Sequence, residues 1–226
     1  MEYNNYAHAI TFDKYLSRTY LSIALGLGVS ALFAYGFMFA IPYIINFYFA
    51  IMMGVTIATL GIAIYFSAAL RKMSSRTAWI CYILYSALTG VSLSSLLLYY
   101  ANSSVVAAFL TTAIVFVCMA VIGNTTHIDL SKYGSLFFVG LISLLIFSVV
   151  DMLFLHTSGF VIAFVGIILF LGLVAYDMQM LRRYYEAGSY DEDAAEKMMI
   201  FGAFQLYLDF INIFIRVLQI FGRKRD

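Results

Sequence analysis

Two aspartates stand inside long apolar runs of this sequence, where ionisable residues are rare. Asp209 lies within FQLYLDFINIFIRVLQIF, residues 204–221, and Asp177 lies within LGLVAYDMQM, residues 171–180. A charged side chain at the centre of a bilayer costs at least about 2.5–3.5 kcal/mol, so each carboxylate must face protein or water. Acids sheltered in this way are functional residues by default, and the chemistry they suit is cation binding or proton exchange.

The residues around Asp209 form a polar stripe. At about 100° per residue, the polar and small residues of this run fall within roughly one third of the helix circumference. They are Gly202, Gln205, Asp209, Asn212, Arg216 and Gln219. The stripe predicts that this helix is surrounded by others and shows them a wet face. Gln205, Asn212 and Arg216 are therefore predicted to line or flank a path through the protein.

A second prediction concerns how the two acids could act together. If Asp177 and Asp209 meet across a helix interface, their charges repel and they titrate as a pair that senses pH. Contact requires a helix tilt or a shift of the predicted boundaries, because Asp209 lies about 15 Å into its helix and Asp177 only a turn from the end of its own. Arg71 ends the second helix at the predicted depth of Asp177, so an ion pair is expected that protonation of the acid would release.

The composition indicates what kind of protein holds these acids. Of the 226 residues, 64% are hydrophobic and 11% are charged, and the mean hydropathy is +0.94. Ordinary soluble domains are about 45–50% apolar, so this chain has too much apolar surface for one water-soluble core. The net charge of +1 provides no basic face for nucleic acid. An all-α protein of the lipid bilayer is predicted.

Seven apolar runs are long enough for transmembrane helices, which need roughly 20 residues each. Short connections predict antiparallel neighbours in one bundle, so residues 19–221 are expected to form a single polytopic domain between an N-terminal segment, 1–18, and a basic tail, 222–226. The predicted spans are Thr19–Ile41, Phe47–Leu70, Ala78–Tyr100, Ser103–Gly123, Tyr133–Leu155, Ser158–Met180 and Met198–Phe221.

The basic residues predict the orientation. With a cytoplasmic N-terminus, nine of the 13 lysines and arginines fall in cytoplasmic segments, as the positive-inside rule requires. The tail, with Arg223, Lys224 and Arg225, would then lie outside, against the rule. Either seven helices span and the earlier loops dominate, or the last segment is re-entrant and the C-terminus returns inside. We favour seven spans.

Three segments of the sequence resemble the Bax inhibitor-1 family, also called transmembrane Bax-inhibitor-motif proteins. They are VAYDMQ at 174–179, LYLDFINIF at 206–214 and LTGVSLSSLL at 88–97, in which Ser95 stands where a proline is common in the family. The resemblance covers nearly the whole chain. The short polar N-terminus is similar to the bacterial, YccA-like branch, which implies the bacterial inner membrane.

The resemblance implies a fold and an activity. The fold is six helices packed around a central seventh, and the activity is a pH-sensitive leak of calcium or other cations. The implied gate is a paired-aspartate sensor at Asp177 and Asp209, with transient calcium there, and the implied latch of the closed form is Arg71. No cofactor is expected besides calcium as the permeant ion. The connection 182–197 is long and acidic in this chain, which alters the expected gating.

Other functions remain open on the sequence alone. The bacterial branch includes contact regulators of membrane proteins such as a membrane-anchored protease, and that role needs no wet path. An intramembrane aspartyl protease also uses two aspartates, but such enzymes share Gly-x-Gly-Asp and Pro-Ala-Leu motifs. Here Leu206, Tyr207 and Leu208 precede Asp209, and Pro42 is the single proline. We therefore expect no enzyme activity. The acidic residues Asp193 and Glu196 are predicted to form a capping box at the start of the last helix.

Overall fold

The computed structural model describes residues 11–70, 72–151, 159–188 and 192–225. Regular structure in these ranges is helical apart from one isolated bridge between Tyr100 and Lys224, which confirms the all-α class. Two short 3-10 segments, Ile45–Phe47 and Leu130–Tyr133, adjoin the α-helices. The α-helices are α1 Phe12–Ile44, α2 Tyr48–Ala69, α3 Ser75–Tyr99, α4 Asn102–Thr125, α5 Gly134–Val150, α6 Phe160–Gly188 and α7 Glu192–Phe221.

Six helical stretches within the described ranges are long and apolar enough to cross a membrane, which confirms a multi-pass membrane protein. The first stretch, Phe12–Ala69, contains both α1 and α2 because the 3-10 segment joins them. Pro42 lies inside the last turn of α1, where it removes one backbone donor, but no glycine or acidic turn residue follows to end the helical conformation. The count of seven separate spans and the packing of six helices around one stay predictions.

The predicted end of the sixth helix and the predicted start of the seventh are wrong. The sixth helix does not end at Met180 but continues to Gly188, and the seventh starts at Glu192 instead of Met198. Hydropathy marks where a chain leaves the apolar layer, whereas a helix continues as long as its backbone hydrogen bonds do. Asp177 therefore lies eleven residues before the end of α6, and the predicted acidic connection 182–197 is mostly helical.

The acidic residues at the start of α7 contact the start of α3, and the capping box stays a prediction because the residues just before α7 lie outside the described ranges. Asp193 already lies in the first turn of α7. Its Oδ1 accepts a hydrogen bond from the backbone N–H of Ser75 at 3.1 Å, and Lys197 Nζ lies 3.2 Å from its Oδ2. Trp79 Nε1 donates to Glu196 Oε1 at 3.0 Å. The two acids thus join α7 to α3, because Ser75 offers one of the N–H groups that α3 leaves unbonded.

The described chain divides into two compact units. One contains the described residues up to Leu98 together with Leu181–Phe204, and the other contains Tyr99–Met180 together with residues from Gln205 onward. The prediction of a single domain stays a prediction.

In the first unit, α1 and α3 meet along what we call the seam. Tyr82 Oη donates to the carbonyl of Ser22 at 2.7 Å, and Ser30 Oγ donates to the carbonyl of Ser86 at 2.8 Å. Gly90 lies against the backbone of Ser30 and Gly26 lies against the Tyr82 ring, so both positions lack room for a side chain. Small residues let helix backbones approach in a membrane, where no hydrophobic force pulls helices together. The seam is Ser22, Gly26, Ser30, Tyr82, Ser86 and Gly90.

In the second unit, the C-terminal tail pairs with the turn between α3 and α4. Ala101 N donates to the carbonyl of Arg223 at 2.9 Å, and Arg225 N donates to the carbonyl of Tyr99 at 2.9 Å. Lys224 Nζ lies 5.2 Å from the centre of the Tyr99 ring. These bonds place the C-terminal end of α7 beside the α3–α4 turn. Whether the last segment spans or re-enters stays a prediction.

Candidate functional site

Asp177 of α6 and Asp209 of α7 are in direct contact. Their exposed fractions are 7% and 4%, and the two carboxyl groups lie within hydrogen-bonding reach of each other. An ionised carboxylate is an acceptor only, so a hydrogen bond between them requires that one of the two groups holds a proton. The contact does not need the tilt that the predicted boundaries implied, because the longer α6 places Asp177 well inside the helix.

A cavity of about 790 Å³ adjoins this pair. Its polar lining comes from Asp177 and from four members of the predicted stripe, Gln205, Asp209, Asn212 and Arg216. The other two stripe members lie elsewhere: Gly202 packs against Leu181, and Gln219 is exposed. The remaining lining, mostly apolar, is Gly134, Phe137, Phe138, Leu141, Ile142, Leu144, Leu145, Ser148, Phe170, Leu173, Tyr176 and Leu208.

Several buried polar atoms around this cavity have no hydrogen-bond partner among the described residues. Gln205 Oε1, Asp209 Oδ2 and Arg216 Nε are three of the six such side-chain atoms in those ranges. Buried polar groups in proteins are nearly always paired, and an unpaired one costs about 1–3 kcal/mol. Three such atoms at one cavity mark it as the place in the described ranges where a polar partner would be best accommodated.

The acidic and amide oxygens of the cavity lie at one level of α7, and the positively charged arginine lies at another. The acceptor oxygens of Gln205 and Asp209 lie towards the middle of α7, whereas Arg216 lies seven residues later, about 10 Å along the helix. Arg216 donates to Gln219 Oε1 at 3.1 Å, and Asn212 Nδ2 donates to the carbonyl of Leu208 at 2.8 Å. Gly166 makes room for the arginine, since a Cβ there would lie 3.1 Å from Nε.

Two contacts hold the part of α6 that bears Asp177. Gln179 donates from Nε2 to the carbonyl of Ile128 at 2.8 Å and accepts from Leu130 N at 2.9 Å, which ties α6 to the connection before α5. Gly123 of α4 lies against the backbone of Ala175, where a Cβ would come within 2.7 Å of Cα. The position of Asp177 is thus set by a backbone contact and by a side-chain clamp on its own helix.

The apolar wall of the cavity was not predicted from the sequence. Phe137 of α5 packs on Tyr176, with ring centres 5.5 Å apart, and the Tyr176 hydroxyl lies beside Gly134. Tyr176 directly precedes Asp177 in the chain, so its position near the cavity could have been predicted from the sequence. The α5 residues could not, because their apolar run looks like any lipid-facing helix and contains no polar marker that points inward.

The predicted latch falls outside the described ranges. Arg71 is one of the positions that these ranges omit, so its ion pair with Asp177 stays a prediction. Within the described residues, no group of three or more histidine, cysteine, aspartate or glutamate side chains could hold a metal ion. The acidic pair is therefore short of protein ligands for a tightly bound ion, and water would have to supply the rest.

The helices and the site together define a class: multi-pass helical membrane proteins with an acidic pair beside an internal cavity. A family model described as "Inhibitor of apoptosis-promoting Bax1" matches residues 13–226. The chain belongs to the Bax inhibitor-1 family, as its sequence segments indicated.

Relatives in three bacteria support this assignment. A Borreliella burgdorferi protein is 38% identical over 218 residues, which cover 95% of this chain and 94% of the relative. A Rickettsia prowazekii protein is 38% identical over 225 residues, covering 96% and 94%. The inner membrane protein YbhL of Escherichia coli K12 is 39% identical over 176 residues, covering 77% and 75%. The last name assigns that relative to a membrane, in agreement with the six apolar helices found here.

Proposed function

We propose that this protein lets cations, with calcium as the expected ion, leak down their gradient through a pH-sensitive gate formed by Asp177 and Asp209. The observation that supports the proposal is a pair of oxygens, Gln205 Oε1 and Asp209 Oδ2, that have no partner among the described residues and lie at the cavity beside the two acids. Oxygen ligands of this kind suit a hard, partly hydrated cation. Asn212 extends the polar lining towards Arg216.

A gate of this kind has a defined response to protons. With one proton shared between Asp177 and Asp209, the pair carries a single negative charge, and its contact closes the polar end of the cavity. When that proton leaves, two carboxylates in contact repel each other and attract a cation. The pair alone therefore predicts that flux rises with pH. The charged groups that line the cavity are these two acids and Arg216.

The expected latch at Arg71 gives the opposite sign. An ion pair between Arg71 and Asp177 would break when the acid is protonated, so flux would rise as pH falls. The direction of the pH response thus tells which of the two contacts controls opening. We include Arg71 in the proposal as the latch and expect the Arg71→Gln variant to leak more than the wild type at high pH.

The test is cation flux into proteoliposomes that contain the purified full chain, measured with an enclosed calcium indicator across a range of pH. Asp177→Asn and Asp209→Asn should each change the flux and flatten its pH dependence. Asp13→Asn makes the same chemical change at an exposed residue in the first turn of α1, so it should behave as the wild type. The same flux measurement with a proton or a potassium gradient in place of the calcium gradient shows which class of cation passes.

A flux that neither aspartate substitution alters would refute the gate. The second candidate, a contact regulator of another membrane protein such as a protease, would then be preferred, because contact regulation does not need an ionisable cavity. We propose no catalytic role for the two acids. The N-terminus is proposed to be cytoplasmic. The membrane is proposed to be the bacterial inner membrane, which the name of the Escherichia coli relative supports.

A further inference from the structure

The cavity has a feature that a cation path does not need. Most of its wall is apolar, and the wall extends along α5 from Phe137 to Leu145, about 12 Å. Phe138, Ile142 and Leu145 line the cavity and are also 64%, 44% and 62% exposed. Residues that both line a cavity and lie on the outer surface form its mouth. In a bilayer that surface contacts hydrocarbon, so the cavity opens towards the lipid chains.

The charged group at the far end of the cavity selects for an anion. Arg216 lies five residues before the end of α7, about 8 Å from the helix terminus. It donates a hydrogen bond to Gln219, and its buried Nε has no partner among the described residues. A guanidinium presents its N–H groups as a planar fork that matches a carboxylate. A cation in the cavity would leave this group unpaired.

We propose that the cavity binds a long-chain fatty acid, with its carboxylate on Arg216 and its chain along the α5 wall towards the acidic pair. The volume of about 790 Å³ lies within the usual range of about 300–1,000 Å³ for a small-molecule site. A single acyl chain fits the one apolar wall of this cavity, and its carboxylate fits the one positively charged side chain, Arg216. A phospholipid would leave its second chain outside. Water alone would satisfy Arg216 but would leave the apolar wall wet.

The proposal is tested by photolabelling the purified full chain in detergent with a fatty acid that bears a diazirine in mid-chain. Peptide mapping should place the label on the facing residues of α5 and α7, such as Leu141, Leu145 and Leu208. Unlabelled fatty acid should compete for the site. The uncharged alcohol of the same chain length should compete at least about ten-fold less well, since it has no carboxylate to pair with Arg216.

Four variants make the test specific. Arg216→Gln should weaken labelling about ten-fold, and Arg216→Lys should restore part of it. Arg223→Gln removes the same charge from an exposed residue beyond α7 and should have no effect. Leu145→Trp should block the mouth without a change of charge, and because Leu145 is largely exposed this variant tests the site even if Arg216→Gln fails to fold.

Label spread evenly over the lipid-facing surface and insensitive to these variants would show only solvation by hydrocarbon and would overturn the proposal. Equal competition by the alcohol would overturn the role of Arg216. Binding is measured here without any ion flux, so a protein that binds the fatty acid but passes no cations would refute the leak and not this site, and the reverse result would refute this site alone.

Discussion

The seam between α1 and α3 and the cavity beside α5, α6 and α7 place polar side chains among apolar helices in opposite ways. In the seam, the hydroxyls of Tyr82 and Ser30 donate to backbone carbonyls of the facing helix. Around the cavity, Gln205, Asp209 and Arg216 each keep a buried atom without a partner in the described ranges. The first region is closed and satisfied, and the second keeps hydrogen-bonding capacity that the described residues do not fill.

The side-chain types explain the difference. A serine hydroxyl is short and can donate to a carbonyl of its own helix or of a close neighbour, so small residues and hydroxyls pack tightly without loss. A carboxylate, an amide oxygen or a guanidinium has more hydrogen-bonding capacity than two helices can supply. Polar residues of the first kind therefore stabilise a membrane fold, whereas those of the second kind are the ones for which a function is proposed.

The largest effect is expected from a side chain placed in the seam. In Gly90→Val the new Cβ would meet the backbone of Ser30, which cannot rotate away. We expect a loss of about 3 kcal/mol of stability or failure to fold, measured as the fraction of monodisperse protein after heating in detergent. Gly28→Val on α1 is the control, because a Cβ there meets nothing within 4 Å. Equal stability of the two variants would mean that the seam is not closely packed.

The position of Gly90 also shows which parts of the fold could be predicted from the sequence. Hydropathy predicted the apolar helices, and the polar stripe predicted that Gln205, Asp209, Asn212 and Arg216 share one face. Both are periodic patterns within one segment, which the geometry of a helix converts directly into structure. Gly90 was readable as a small residue, but its contact with Ser30 depends on which helix lies opposite.

The mistaken boundaries have a related cause. Residues 181–188 and 192–197 are charged or mixed, and a hydropathy criterion ends the membrane segment there although the backbone stays helical. The contact between Asp177 and Asp209 depends on these boundaries and on helix packing, so it could be proposed but not placed. The α5 wall of the cavity is a tertiary feature with no local signal. The sequence thus predicted the polar lining of the cavity better than the space in front of it.

The next effect concerns the stability of the cavity region as a function of pH. The two carboxyl groups are in contact in the folded chain and apart in the unfolded chain. Two ionised carboxylates in contact repel each other, so stability should fall as pH rises. We expect a loss of about 1–3 kcal/mol across that transition. The double variant Asp177→Asn, Asp209→Asn should show no such slope in thermal unfolding.

Asp13→Asn is the control for this pH series, since Asp13 is exposed and should leave the slope of the wild type unchanged. A double variant that keeps the full slope would assign the pH dependence to other groups. The seam and the cavity would then not differ in how their stability depends on pH, because the buried acids would behave as ordinary structural residues.

The smallest effects come from removing single hydrogen bonds on each side of the comparison. Ser30→Ala and Tyr82→Phe each delete one interhelical bond of the seam and should cost about 0.6 kcal/mol apiece, or about 1.2 kcal/mol together. Gln205→Ala with Asn212→Ala deletes two amides from the cavity. Gln205 Oε1 has no partner among the described residues and the Asn212 amide bonds only to its own helix, so no facing group is left unpaired.

The cavity pair of substitutions should therefore be neutral or stabilising in the same thermal assay, although its members line the proposed path. Removal of an unpartnered polar atom relieves a desolvation cost instead of breaking a bond. A cavity double variant that loses as much stability as the seam double variant would mean that the amides of Gln205 and Asn212 are structural. Stability that is kept while calcium flux changes is the result expected if these residues serve the path.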